Sequence, residues 1–206
     1  MQQQVSEIRR AMKPVADVLR DLDVLYAVVG SVAGLSHGYS RFTMDIDTVA
    51  FLSLDVIDQF VGRLKNDYYV DATAIREAIT HHRSFNLICN ANGFKVDIFV
   101  PISTAWQQQV VQRCEPETMN DERQAAFLVE TAEDLVLSKL RWFRMTNETS
   151  ERQWNDVLGV LKINCFDIDT EYLEYWAKEL RIEDLLKRAF DESGIEELKG
   201  TDEHSD

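Results

Sequence analysis

The stretch VVGSVAGLSHGYSRFTMDIDTVAF, residues 28–51, sets a glycine-serine step behind one apolar run and two aspartates at the head of the next. Side chains alternate faces along an extended segment, so Asp45 and Asp47 share a face while Ile46 and Thr48 point into the opposite layer. Two strand rises put the carboxylates roughly 6.5–7 Å apart at Cβ. Like charges so placed repel, and burying them unpaired is costly. A hard divalent cation removes both penalties, because it takes oxygen ligands from one or two carboxylates.

Upstream, VLYAVVG (24–30) is a short apolar run rich in valine and reads as a strand buried on both faces. A helix is expected over 31–39, with Ser31 at its cap. Gly30 lets the backbone turn closely, and the helix start offers free N–H groups to an anion. The Ser31 hydroxyl would donate to a phosphate oxygen, and Arg41, four residues before Asp45, would add a charge-assisted contact. A third carboxylate keeps similar company. In GFKVDIFVP (93–101), Phe94, Val96, Ile98 and Val100 line one face, and Asp97 lies on the other with Lys95 and Phe99. If this strand pairs beside 45–52, Asp97 joins Asp45 and Asp47 at one spot. Three carboxylates on adjacent strands suit one or two Mg²⁺ ions and phosphoryl transfer.

The rest of the chain reads as alternating short strands and helices. An amphipathic helix is expected over 5–22, kinked or restarted at Pro14. Further helices are expected over 53–65 with Ser53 as cap, and in the second half of 68–80 after a short strand. The strands 84–90 and 93–101 are joined through Asn90 to Gly93 as a hairpin, and 125–130 is a further strand. From Thr131 onward the pattern is helical, over 132–144, 151–163, 170–180 and 182–190, and Thr131 to Asp134 has capping-box spacing. The expected fold class is α+β. A small mixed sheet with flanking helices occupies 1–130, a helical bundle follows over 131–192, and 193–206 is an acidic disordered tail.

Composition narrows the partners. Net charge is −14, and the last 16 residues account for −6 of it, so the body is acidic as well. Proteins that grip long nucleic acids present basic faces, so extended nucleic-acid binding is disfavoured. No apolar stretch approaches the roughly 18 residues that span a bilayer, and the polar start MQQQVSEIRR lacks a signal-peptide core. Cys89, Cys114 and Cys165 are odd in number and widely spaced, which fits buried thiols in a reduced, cytoplasmic protein.

At these residues the sequence resembles the nucleotidyltransferase superfamily. The resemblance rests on a hydrophobic-Gly-Ser step (Gly30, Ser31), a spacer of 13 residues, Asp-x-Asp (Asp45, Asp47), and VDIFV, which is similar to the strand carrying that superfamily's third carboxylate (Asp97). The spelling RFTMDID is similar to the branch of abortive-infection-type toxin nucleotidyltransferases. In that branch a later helical region carries a lysine and an aspartate, matched here by Lys139 in AEDLVLSKLRWFR and Asp156 in RQWNDVLGVL. The resemblance implies the nucleotidyltransferase fold and a Mg²⁺-dependent transfer of a nucleoside monophosphate from an NTP to a hydroxyl. The acceptor would be a protein, a tRNA end or a small molecule. It further implies that Asp45, Asp47 and Asp97 hold metal, that Asp97 serves as base, that Gly30 and Ser31 hold the terminal phosphates, and that Lys139 neutralises phosphate charge; Arg41 joins them as a phosphate contact by its place before the aspartates.

A second reading makes the chain a toxin-type or regulatory partner in a two-gene module, acting mainly by binding a cognate protein. The acidic tail and the amphipathic helices after Thr131 motivate it. His37, His81 and His82 read as structural residues, and Trp106, Trp142, Trp154 and Trp176 as packing residues.

Overall fold

Alternation along the strands builds the sheet. In the computed structural model, which describes residues 2–119 and 125–195, β1 (Tyr26–Val29), β2 (Asp45–Ala50), β3 (Tyr68–Tyr69), β4 (Ser84–Cys89), β5 (Lys95–Phe99), β6 (Glu115–Pro116) and β7 (Leu128–Val129) form one mixed sheet. The strand order is β3-β4-β5-β2-β1-β7-β6. Ile46, Thr48, Leu87, Val96 and Ile98 are wholly buried on one face, and their odd-numbered or even-numbered neighbours turn to the other. β1 is buried along Tyr26, Ala27 and Val28, as its all-apolar spelling requires.

The chain divides into two units, residues 1–36 with 41–130 and residues 37–40 with 131–206. In the first, α1 (Gln2–Asp21) lays Ile8, Met12, Val15 and Leu19 on the buried side of the sheet, where the Thr48 hydroxyl meets Met12 Sδ at 3.7 Å. The Tyr68 hydroxyl, deep in this core, donates to the Ala11 carbonyl at 2.8 Å. α2 (Gly30–Ser36), α3 (Ile57–Leu64), α4 (Ala72–His81) and α5 (Ala105–Arg113) complete the unit.

The helical unit contains α6 (Ala132–Met145), α7 (Glu151–Ile163), α8 (Thr170–Leu180) and α9 (Glu183–Ser193). Thr131 caps α6 by accepting from the Asp134 amide at 3.2 Å and donating to Asp134 Oδ2 at 3.1 Å. Each of the first three helices of this unit opens on a side-chain cap, Thr131, Ser150 and Asp169, where sequence rules place one.

Several expectations need correction. α1 continues through Pro14 without a restart. Pro14 and Arg10 both lie on the exposed side of the helix, where water can take the carbonyl that proline leaves without a donor. Ser53 makes no cap hydrogen bond; Leu54–Val56 is a 3₁₀ turn and α3 begins at Ile57. Helix α5 and edge strand β6 are additions to the sequence reading. The expected strand over 125–130 shortens to two residues. Of the tail expected over 193–206, residues 196–206 lie outside the described residues. Among the described residues no helix is long and apolar enough to cross a membrane. Cys89 and Cys165 are buried free thiols, and Cys114 is half-buried.

Candidate functional site

Asp45, Asp47 and Asp97 come together through strand register. β2 pairs with β5 in parallel, with Asp47 opposite Asp97 and Asp45 opposite Lys95. On its other side β2 pairs with β1 antiparallel, with Asp47 opposite Val29. All three aspartates turn away from the buried layer, as the strand alternation requires. Asn86 of β4 continues the row beside Asp97.

A cation of the chain's own stands among them. Lys95 Nζ lies 2.8 Å from Asp97 Oδ2 and 3.8 Å from Asp45 Oδ1. Its hydrogen bond to Asp97 holds the ammonium above the usual lysine range against the opposing effect of desolvation, and the charges of Asp97, Asp45 and Asp47 all add to that effect. One ammonium therefore feels all three carboxylates. Sequence alternation had put Lys95 on this face without giving it a role.

Gly30 shapes the turn beside them. It adopts φ 70°, a region where side chains are strained, and a methyl group there would sit 2.9 Å from Asp47 Oδ2. Its amide donates to Glu130 Oε1 at 2.7 Å. Glu130 is wholly buried at the end of β7 and escaped the sequence reading. The amide that sequence rules give to a phosphate thus has a carboxylate partner already. The Ser31 hydroxyl accepts from the Arg41 guanidinium. The loop carrying Arg41 is tied to α1, where Gln4 Nε2 donates to the Thr43 carbonyl at 3.1 Å.

Lys139 and Asp156 belong to the helical unit and pair with each other. Lys139 Nζ donates to Asp156 Oδ2 at 2.7 Å and to Gln153 Oε1 at 3.2 Å, and the side chains of Lys139 and Asp156 are only 7% and 3% exposed. Tyr39 lies against the same helix, since a methyl group on Gly159 would overlap its ring at 2.1 Å. Burial raises the Tyr39 hydroxyl above the usual tyrosine range, and the charge of Asp156 and a hydrogen bond to it add to the shift.

The donor set suits a hard divalent cation by chemistry: three carboxylates, with an ammonium as stand-in positive charge. Among the described residues, however, no group of three or more His, Cys, Asp and Glu side chains is arranged to hold a metal ion as it stands. The carboxylates that share this face are Asp45, Asp47 and Asp97.

No protein-family model matches the chain, and no curated protein matches it. Solved structures do. An antigenic nucleotidyltransferase-like protein from Paracoccidioides brasiliensis is 17% identical, with a TM-score of 0.60, over 92% of each chain. The antibiotic-resistance factor ANT(2'')-Ia is 9% identical, with a TM-score of 0.53, over 97% of this chain and 98% of that one. At such identities the likeness establishes the fold, and the fold is that of the nucleotidyltransferases.

Proposed function

We propose that the chain is a metal-dependent nucleotidyltransferase that moves a nucleoside monophosphate from an NTP to a hydroxyl acceptor. The observation that carries this reading is the register of Asp47 against Asp97, with Asp45 on the same face and one ammonium under the influence of all three. The fold likeness supports it. Mg²⁺, when bound, would supply positive charge to the phosphate oxygens. Asp45, Asp47 and Asp97 would hold that ion. Asp97 would also take the proton of the acceptor hydroxyl as its oxygen attacks the α-phosphorus, while the bond to pyrophosphate breaks. Ser31 and Arg41, already hydrogen-bonded to each other, would meet the outer phosphates. Gly30 would serve by its turn, and Lys139 by its pairing with Asp156. The acceptor is a protein side chain, a small molecule or a tRNA end, and the net charge of −14 weighs against the last.

Incubation with each α-labelled NTP, Mg²⁺ and lysate tests the reading. Label should move to an acceptor with the wild type and fail with Asp47→Asn. Undiminished transfer by Asp47→Asn would refute the site.

A second reading, that of a toxin-type or regulatory member of a two-gene module, draws on the helical unit's exposed apolar side chains. Trp142, Met145, Phe166 and Tyr175 are each more than half exposed. Stable co-purification with a neighbouring gene's product would favour it. A monodisperse free protein that turns over NTP would count against it.

A further inference from the structure

The lysine among the carboxylates has a consequence for how metal enters. Lys95 sits two residues before Asp97 on the same face of β5, in register with Asp45 across the parallel pair. Its Nζ reaches both carboxylates, at 2.8 and 3.8 Å. Three carboxylates and one ammonium leave the cluster at a local charge of −2, where without the lysine it would be −3. A divalent ion binding between Asp45 and Asp97 would have to take the place the ammonium holds, since two cations at such range repel. The Lys95 side chain is 40% exposed, so it has open solvent into which to withdraw.

We propose that Lys95 is the resident counter-ion of this site: it holds Asp97 and Asp45 while no nucleotide is present, opposes divalent metal, and thereby couples metal entry to the arrival of the triphosphate. The inference rests on the nucleotidyltransferase reading for the identity of the incoming anion. Its electrostatic core rests on the contacts alone. An arriving triphosphate gives the displaced ammonium a new anion, so metal and nucleotide bind together more tightly than either does alone, and by linkage each favours the other equally. Without the lysine the carboxylates would take metal unaided.

Mn²⁺ titration of the whole chain, read by the electron spin resonance of the free ion, tests this directly. Wild type, Lys95→Gln, Lys95→Arg and Asp47→Asn are titrated first without nucleotide, then with a non-hydrolysable NTP analogue. Lys95→Gln should bind Mn²⁺ about tenfold more tightly without nucleotide, the lower end of what one opposite charge at this distance does to an ionic equilibrium. The factor by which the analogue tightens Mn²⁺ should shrink in that variant. Lys95→Arg keeps the charge and should stay within a few-fold of wild type. Equal or weaker Mn²⁺ affinity in Lys95→Gln, or no Mn²⁺ binding to either protein, would overturn the proposal. The two ideas fail separately. Tightened Mn²⁺ binding without any label transfer leaves the counter-ion standing and removes the enzyme. Transfer that Asp47→Asn abolishes, with Mn²⁺ affinity indifferent to Lys95, does the reverse.

Discussion

Replacing Gly30 by alanine places a methyl group 2.9 Å from Asp47 Oδ2, closer than side-chain carbons approach other atoms, at a backbone φ of 70°. Two costs follow, and the structure offers a way to separate them. Gly93, in the turn between β4 and β5, has nearly the same φ, 73°, and nothing within 4 Å of a methyl group there. Gly93→Ala therefore measures backbone strain alone, about 1–2 kcal/mol for a left-handed residue. Gly30→Ala adds the displacement of a carboxylate, at the low end of the ~1–3 kcal/mol that forced repacking costs because an Asp side chain can rotate. The expected totals are about 1–2 kcal/mol for Gly93→Ala and about 2–3 kcal/mol for Gly30→Ala. Urea unfolding reads both, and Mn²⁺ titration with nucleotide reads the site. Metal affinity should survive Gly93→Ala and fall in Gly30→Ala, because the rotated Asp47 no longer faces Asp97. In an Asp47→Ala background the extra cost of Gly30→Ala should vanish, since the offended atom is gone. Equal destabilisation by the two glycine substitutions, with metal affinity intact in both, would refute the close approach of Asp47 to the turn.

Other consequences concern the helical unit. Asp156→Ala strands the almost fully buried Lys139 ammonium without its carboxylate, and should cost about 3–5 kcal/mol in urea unfolding; the double variant Lys139→Met with Asp156→Leu, which removes both charges, should recover most of it. Gly159→Ala drives a methyl group into the Tyr39 ring and should cost about 1–3 kcal/mol, a penalty that Tyr39→Ala relieves in the double variant. A hydrogen bond from Arg144 and its charge hold the Asp184 carboxyl below the usual aspartate range. Its contribution to stability is therefore complete above the unfolded-state value and is lost as pH falls through the lower folded one. Asp184 is 69% exposed, so the contribution stays within about 0–1 kcal/mol, and Asp184→Asn should flatten the acid limb of a stability-against-pH curve by no more than that.

Local rules made much of this legible. Alternation assigned Asp45 and Asp47 to one face and Ile46 and Thr48 to the other, and the latter pair is wholly buried. The same rule put Asp97 opposite Val96 and Ile98. The cap at Thr131 marks a helix start through a bond spanning three residues. Contacts that depend on distant chain were harder. The hydrogen bond between Gly30 and Glu130 spans 100 residues and ends one residue past β7; a strand was legible there, but no local rule ties its last carboxylate to a distant glycine turn. Helix α5 is spelled AWQQQVVQR, with a weak apolar stripe; its cap at Thr104, which accepts from the Gln107 amide, was the available signal. The pairing of β2 with β5 is only a condition at the level of sequence, and its parallel direction is not legible there at all, because no turn chemistry links strands so far apart. Lys95 was visible on the right face, but only the register shows it opposite Asp45.

Charge balance bears on the acceptor more sharply than on the nucleotide. A protein at −14 repels any polyanion at long range, and four carboxylates, Asp45, Asp47, Asp97 and Glu130, lie around the proposed site and its turn. A nucleoside triphosphate travels largely as its Mg²⁺ complex, so part of its charge is cancelled before it arrives, and Arg41 with Ser31 offers a local anion contact. A nucleic-acid acceptor has no such relief along its length. Each phosphate it presents must be matched by a basic side chain of the protein, and affinity comes chiefly from that matching. The proposed enzyme accordingly favours acceptors that are neutral or cationic near the reacting hydroxyl. Transfer to a small hydroxylated cation should be fastest at low salt and weaken as added salt screens the attraction, whereas transfer to an RNA end should be poor at low salt and fall no further as salt is added.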